Sequence, residues 1–187
     1  MKKKSILICV VSLLLTGCSG PAANPQPVRI NIEGGGEFPS YLAGTWRAEE
    51  QKLEMVVKPD GTIASATVGM GRMKLEPGKT KKVPLIYKGK GVYSPGEWFA
   101  TYNPVTRYLI VQLSLKHFAA KIGDNLVEGQ TSDTFTGTIT PDGKSWLVDW
   151  TTYANCKAHA ESQKEFVLEG DPDGETTTAV FIKTEPK

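Results

Sequence analysis

Residues 133–150 read Asp133-Thr134-Phe135-Thr136-Gly137-Thr138-Ile139-Thr140-Pro141-Asp142-Gly143-Lys144-Ser145-Trp146-Leu147-Val148-Asp149-Trp150. Successive side chains of a strand point to opposite sides, so Phe135 and Ile139 share one face of the first run. Trp146, Val148 and Trp150 share one face of the second. Between them, proline presets its own φ and glycine accepts a positive φ, which makes Pro-Asp-Gly a turn. The stretch is therefore predicted to be a β-hairpin with one apolar face. By the same parity Asp149, flanked by two tryptophans, faces solvent.

Moving outward, the device recurs. Leu53 to Lys58 leads into Pro59-Asp60-Gly61 and returns as Thr62 to Val68. Further strands are predicted around Thr45-Trp46-Arg47 and over 82–88, 97–103, 107–115, 164–169 and 177–183. In the 107–115 run, Leu109, Val111, Leu113 and Leu115 alternate cleanly. Residues 69–81, 154–162 and 170–176 read as loops. Residues 116–130 fit either an extra hairpin turning at Gly123-Asp124 or a strand with a short helix. No amphipathic helix of three turns is apparent. Many short strands without helical crossovers predict an all-β domain: an antiparallel β-barrel or two-sheet clam of about 8–10 strands, since closure removes exposed edges.

The N-terminus obeys different rules. Lys2, Lys3 and Lys4 precede an apolar run from Ile6 to Leu15. A bilayer-spanning helix needs roughly 20 apolar residues, so this run has the length of an export signal. Leu15-Thr16-Gly17-Cys18 follows and resembles the lipobox of bacterial lipoproteins. The resemblance implies a signal peptide over 1–17, lipidation of the Cys18 thiol, and cleavage before it. Residues 18–37 open with small, polar and proline-rich SGPAANPQP and are expected to be a flexible tether. A single β domain is expected over 38–187. Ser19, with no aspartate after the cysteine, resembles the outer-membrane form of the enteric sorting rule.

Charge narrows the partners. The chain holds 22 Lys+Arg against 20 Asp+Glu; three lysines and no acid lie in the leader, leaving a mature charge of −1. Nucleic-acid binding therefore lacks an electrostatic basis. Of three cysteines, Cys9 leaves with the leader and Cys18 carries the lipid. Cys156 alone remains, so no internal disulfide is available.

Phe38-Pro39-Ser40-Tyr41-Leu42-Ala43-Gly44-Thr45-Trp46 resembles the entry to a lipocalin or calycin-type barrel, where Gly-x-Trp begins the first strand. The resemblance implies that Trp46 plugs one barrel end and that a small apolar ligand occupies the interior. The family's arginine near the last strand has no clear match here; that strand offers Lys183. Thr131-Ser132-Asp133 does not reproduce the family's mid-chain pattern.

Motifs for chemistry are sparse. Gly78-Lys79-Thr80 and Gly143-Lys144-Ser145 lack the earlier glycine of a phosphate-binding loop. Cys156 and His159 have the spacing of half a zinc site, with His117 the only other histidine. No catalytic residues, metal ligands or cofactor are assigned. The aromatic set is more informative: Trp46, Trp98, Trp146, Trp150 and Tyr102 are the candidate ligand pocket or barrel plug, because aromatics dominate apolar pockets as well as ordinary cores. The sequence thus predicts a non-enzymatic, lipid-anchored envelope lipoprotein. Its first reading is a module binding a small apolar or amphipathic ligand. Its second is a structural or protein-interaction lipoprotein with a fully packed core.

Overall fold

The computed structural model describes residues 27–84, 90–122, 125–159, 165–169 and 174–184. Its strands are β1 (Ile30–Ile32), β2 (Gly44–Ala48), β3 (Leu53–Val57), β4 (Ile63–Val68), β5 (Met73–Leu75), β6 (Lys81–Pro84), β7 (Lys90–Asn103), β8 (Tyr108–Ile122), β9 (Asn125–Ile139), β10 (Ser145–His159), β11 (Glu165–Glu169) and β12 (Glu175–Thr184). Single 3-10 turns at Ser40–Leu42 and Met70–Arg72 are the helical elements. Among the described residues no helix is long and apolar enough to cross a membrane.

All strands join one sheet, in the order β1-β7-β8-β9-β10-β12-β2-β3-β4-β5, with β6 on β7 and β11 on β10. A two-sheet clam is therefore replaced by a single sheet. Every pairing is antiparallel except β1 with β7. The strands outnumber the expectation because β1 and β5 form in stretches read as tether and loop. The long strands also change partner along their length. Ser145–Thr152 of β10 pairs with β12, whereas Asn155–His159 pairs with β11.

The founding hairpin forms as expected, with Trp146 opposite Ile139 and Trp150 opposite Phe135. Asp142 holds its turn: Oδ1 accepts from the Thr140 hydroxyl at 2.6 Å and from the Lys144 N–H at 3.0 Å. Gly143 has φ +69°. Asp60 does the same for the earlier turn, accepting the Thr62 N–H at 3.0 Å. A side chain with this local acceptor favours turn over strand. Gly137 matters for a different reason: a Cβ there would strike the Leu147 carbonyl oxygen on the facing strand.

Several boundaries differ from the sequence reading. The 154–162 loop is strand as far as His159. Its inward positions Ala154, Cys156 and Ala158 are small and weakly apolar, so they carried little strand signal. Residues 116–130 are the tip of one long hairpin, β8 and β9. The strand expected from residue 97 begins at Lys90, because Pro95-Gly96 is absorbed as a bulge between Ser94 and Trp98 rather than ending the strand. The 69–81 stretch contains a 3-10 turn and β5.

The flexible stretch expected through residue 37 is shorter too. Ile30–Ile32 pairs with Ala100–Tyr102. On its other side the Ile30 N–H donates to the Gly61 carbonyl at 3.0 Å, and the Ile63 N–H donates to Val28 at 2.8 Å. Ile30 is buried. Three apolar residues, Val28, Ile30 and Ile32, within a polar, glycine-rich stretch were enough to anchor it once two strand edges were at hand.

The inward positions of β2–β4, β7–β10 and β12 form one continuous core. Alternation is regular: Phe135, Gly137 and Ile139 are buried on β9, and Trp146, Val148 and Trp150 on β10. Asp149 is exposed, as its parity requires.

Candidate functional site

Rings fill the centre of the core. Phe135 lies parallel to Trp150, with centroids 5.9 Å apart and planes at 8°. Phe181 meets Phe135 edge-on at 5.9 Å and lies 5.2 Å from Trp146. Offset and edge-on pairs at such separations are favourable beyond the area they bury. Of the five aromatic residues singled out from the sequence, Trp146 and Trp150 therefore meet through Phe135.

Trp46 is buried in β2, and its indole N–H donates to the Leu42 carbonyl at 2.9 Å. The 3-10 turn Ser40–Leu42 is thereby held against the start of the strand. Gly44 has φ +137°, and a Cβ there would press on the Lys183 stem. Lys183 stands opposite Trp46 in register, and its ammonium donates to the Tyr41 carbonyl at 2.9 Å. Tyr102 is fully buried; its hydroxyl shares a 2.5 Å hydrogen bond with that of Tyr41. Burial, helped by Tyr41, pushes the Tyr102 phenol well above its ordinary value. Trp98 lies apart from the Phe135 group in these ring contacts. It follows the β7 bulge, and its indole N–H donates to the Ser114 carbonyl at 3.0 Å.

One group escaped the sequence reading. Asp133 on β9 is 0% exposed. Its Oδ1 accepts from the Trp150 indole N–H at 3.0 Å and the Thr152 hydroxyl at 2.7 Å, and Oδ2 accepts from the Gly69 N–H at 2.7 Å. Arg72 lies over the Trp150 ring, 4.6 Å from its centroid. Burial raises the Asp133 carboxyl above its usual range, against the lowering influence of these donors and of Arg72. The arrangement is a latch: it fastens the β4–β5 connection across β9 and β10. The available signal was parity, since position 133 shares its face with Phe135.

Among the described side chains, those considered for chemistry do not converge. Cys156 is buried on the inward face of β10, and burial pushes its thiol up. His117 is exposed on β8. His159 ends β10, and its side chain lies outside the described residues, as does Cys18. No group of three potential metal ligands occurs among the described residues. Lys79 pairs with Glu76 at 2.5 Å, and Gly143-Lys144-Ser145 closes a hairpin.

The outer face is less uniformly polar than the interior is apolar. Tyr108, Leu147, Val180 and Ile182 are 40–53% exposed. Leu147 pairs directly with Val180, and both Tyr108 and Leu147 pair with Thr138. Leu147, Val180 and Ile182 form an apolar patch on β10 and β12, and Thr138 of β9 separates it from Tyr108 on β8. Comparison with known proteins brings no relative: no family model, no curated protein and no solved structure matches the chain.

Proposed function

We propose that this chain is a lipid-anchored protein of the bacterial envelope, without catalysis, whose β domain works through its outer surface. The anchor is the thioether lipid of Cys18, in the outer membrane by the residue that follows it. The domain is a β-barrel closed through residues 28–32, which lie between β4 and β7; the Arg29–Thr62 bridge supports closure. Its lipocalin-like entry, Gly44-Thr45-Trp46, serves as a plug for a solid barrel rather than for a ligand chamber.

The observation that carries this reading is the filling of the interior by the protein's own rings. Phe135, Trp146, Trp150 and Phe181 occupy the space that a small apolar ligand would need. The exposed patch of Leu147, Val180 and Ile182 adds to it, because contiguous apolar surface on a domain marks a contact site.

Native mass spectrometry of the full-length protein purified from its own host tests the reading. The expected mass is the lipidated chain with no additional apolar small molecule. A stoichiometric apolar ligand overturns the solid-barrel reading. Replacing Cys18 by Ser is expected to move the protein out of the membrane fraction; full retention there overturns the anchor.

A further inference from the structure

Two bulges lie side by side on neighbouring strands. β7 is irregular between Ser94 and Trp98, and β8 between Leu115 and Phe118. A bulge bends its strand and increases the local twist. On the outer face at this level lies a groove of about 530 Å³ crossing β7, β8, β9 and β10.

The polar side chains of the groove stand in register, beside the apolar Leu115 and Ala154. Ser114 stands opposite Ser132, Ser132 opposite Tyr153, and Gln130 opposite Asn155. Gln112 completes this lining. The Ser132 hydroxyl is shielded from solvent and has no hydrogen-bond partner. The nearby amides each offer donors and an acceptor. Glu97 and Lys116 contribute one charge of each sign.

Past Glu97 the groove continues into a second cleft of about 810 Å³, which shares Gly96, Glu97 and Lys116 with it and includes Phe99. Exposed rings therefore flank the polar floor: Tyr153 on β10 at 42% and Phe99 on β7 at 45%. Three strand spacings separate their strands, about 14 Å.

We propose that this groove binds a neutral polyhydroxylated chain, a glycan strand lying across β7 to β10. It deepens, and rests on, the reading that the domain works through its outer surface. Sugar hydroxyls donate and accept at once, as the amides of Gln112, Gln130 and Asn155 do. The C–H faces of sugar rings pack on Tyr153 and Phe99. An apolar ligand would cover the amides without giving them partners. A polyanion would meet balanced charge. Along the floor of the groove β8 and β9 are paired on both sides, so a peptide finds no free edge there to join as an added strand.

The test is calorimetric titration of the full-length protein in detergent with maltohexaose, cellohexaose and chitohexaose. At least one is expected to bind, with a dissociation constant on the order of micromolar to millimolar. Gln130→Ala and Tyr153→Ala are each expected to weaken it about tenfold. Val105→Ser, in the exposed β7–β8 turn outside both clefts, is expected to leave affinity unchanged. Circular dichroism checks that each variant is folded. Absence of binding by all three hexasaccharides overturns the proposal, as does unchanged affinity in folded Tyr153→Ala. Either failure leaves the mass and fractionation results untouched, so the glycan proposal and the anchored-surface reading fail separately.

Discussion

Gly69 and Asp133 are 64 residues apart in the chain and joined by a 2.7 Å hydrogen bond from the glycine N–H to the carboxylate. The same carboxylate holds the Trp150 indole and the Thr152 hydroxyl. A Cβ at position 69 would collide with Asp133 and Trp150, so the connection approaches as closely as backbone can. One buried acid therefore ties the β4–β5 connection to the two longest-paired strands.

Asp133→Ala is expected to destabilise the domain by about 3 kcal/mol or more, because it leaves the Trp150 and Gly69 donors buried without acceptors. Asp133→Asn is expected to cost less. It keeps one oxygen for Trp150 and Thr152 but turns a donor toward Gly69. Urea midpoints of the two variants and the parent measure this; equal midpoints for all three would show that the latch is idle.

The Asp133 carboxyl is raised above its ordinary value of 3.8 by burial. The folded state therefore holds this proton more tightly than the unfolded state. Its contribution to stability is greatest at pH below the unfolded value and declines as pH rises through the folded one. Asparagine does not titrate, so the deficit of Asp133→Asn is expected to shrink as pH rises from about 3.5 to 7. Glu54, lowered first by Lys74 and also by Arg47, has the opposite sign, but it is common to both proteins and cancels. A deficit that stays constant or widens across this range contradicts the assignment.

Trp46→Phe removes the indole donor that reaches the Leu42 carbonyl while retaining an aromatic ring. A loss of about 1–3 kcal/mol is expected, from the stranded carbonyl and the space left by the smaller ring. Thermal unfolding followed by far-ultraviolet circular dichroism reads it out. No change in midpoint would mean that the Ser40–Leu42 turn is not fastened by this bond.

Cys156 is 2% exposed, and burial raises its thiol. Reaction with a thiol reagent at pH 8 is expected to be about a hundredfold slower in the native protein than in urea, limited by opening of the strand. Full-rate labelling of the native state would place this part of β10 in solvent.

Local rules carried much of the fold. The two Pro-Asp-Gly turns needed only a proline, a short acceptor and a glycine in three consecutive positions, and both formed where the sequence placed them. Period-two alternation assigned Phe135, Ile139, Trp146, Val148 and Trp150 to the inside and Asp149 to the outside. The same rule would have put Asp133 inside. What it could not supply was the partner, because Gly69 lies on another part of the chain.

The sequence by itself determined the all-β class, the two principal hairpins, the inward aromatic set and the near balance of 22 Lys+Arg against 20 Asp+Glu. Each follows from chemistry within a few residues or from composition. Tertiary structure alone decided that residues 28–32 join the sheet, that Pro95-Gly96 is a bulge within a strand, and that two bulges stand side by side over an unpartnered Ser132. Those outcomes depend on which strand edges meet and in what register, and such pairing is a property of the whole chain's packing rather than of any segment.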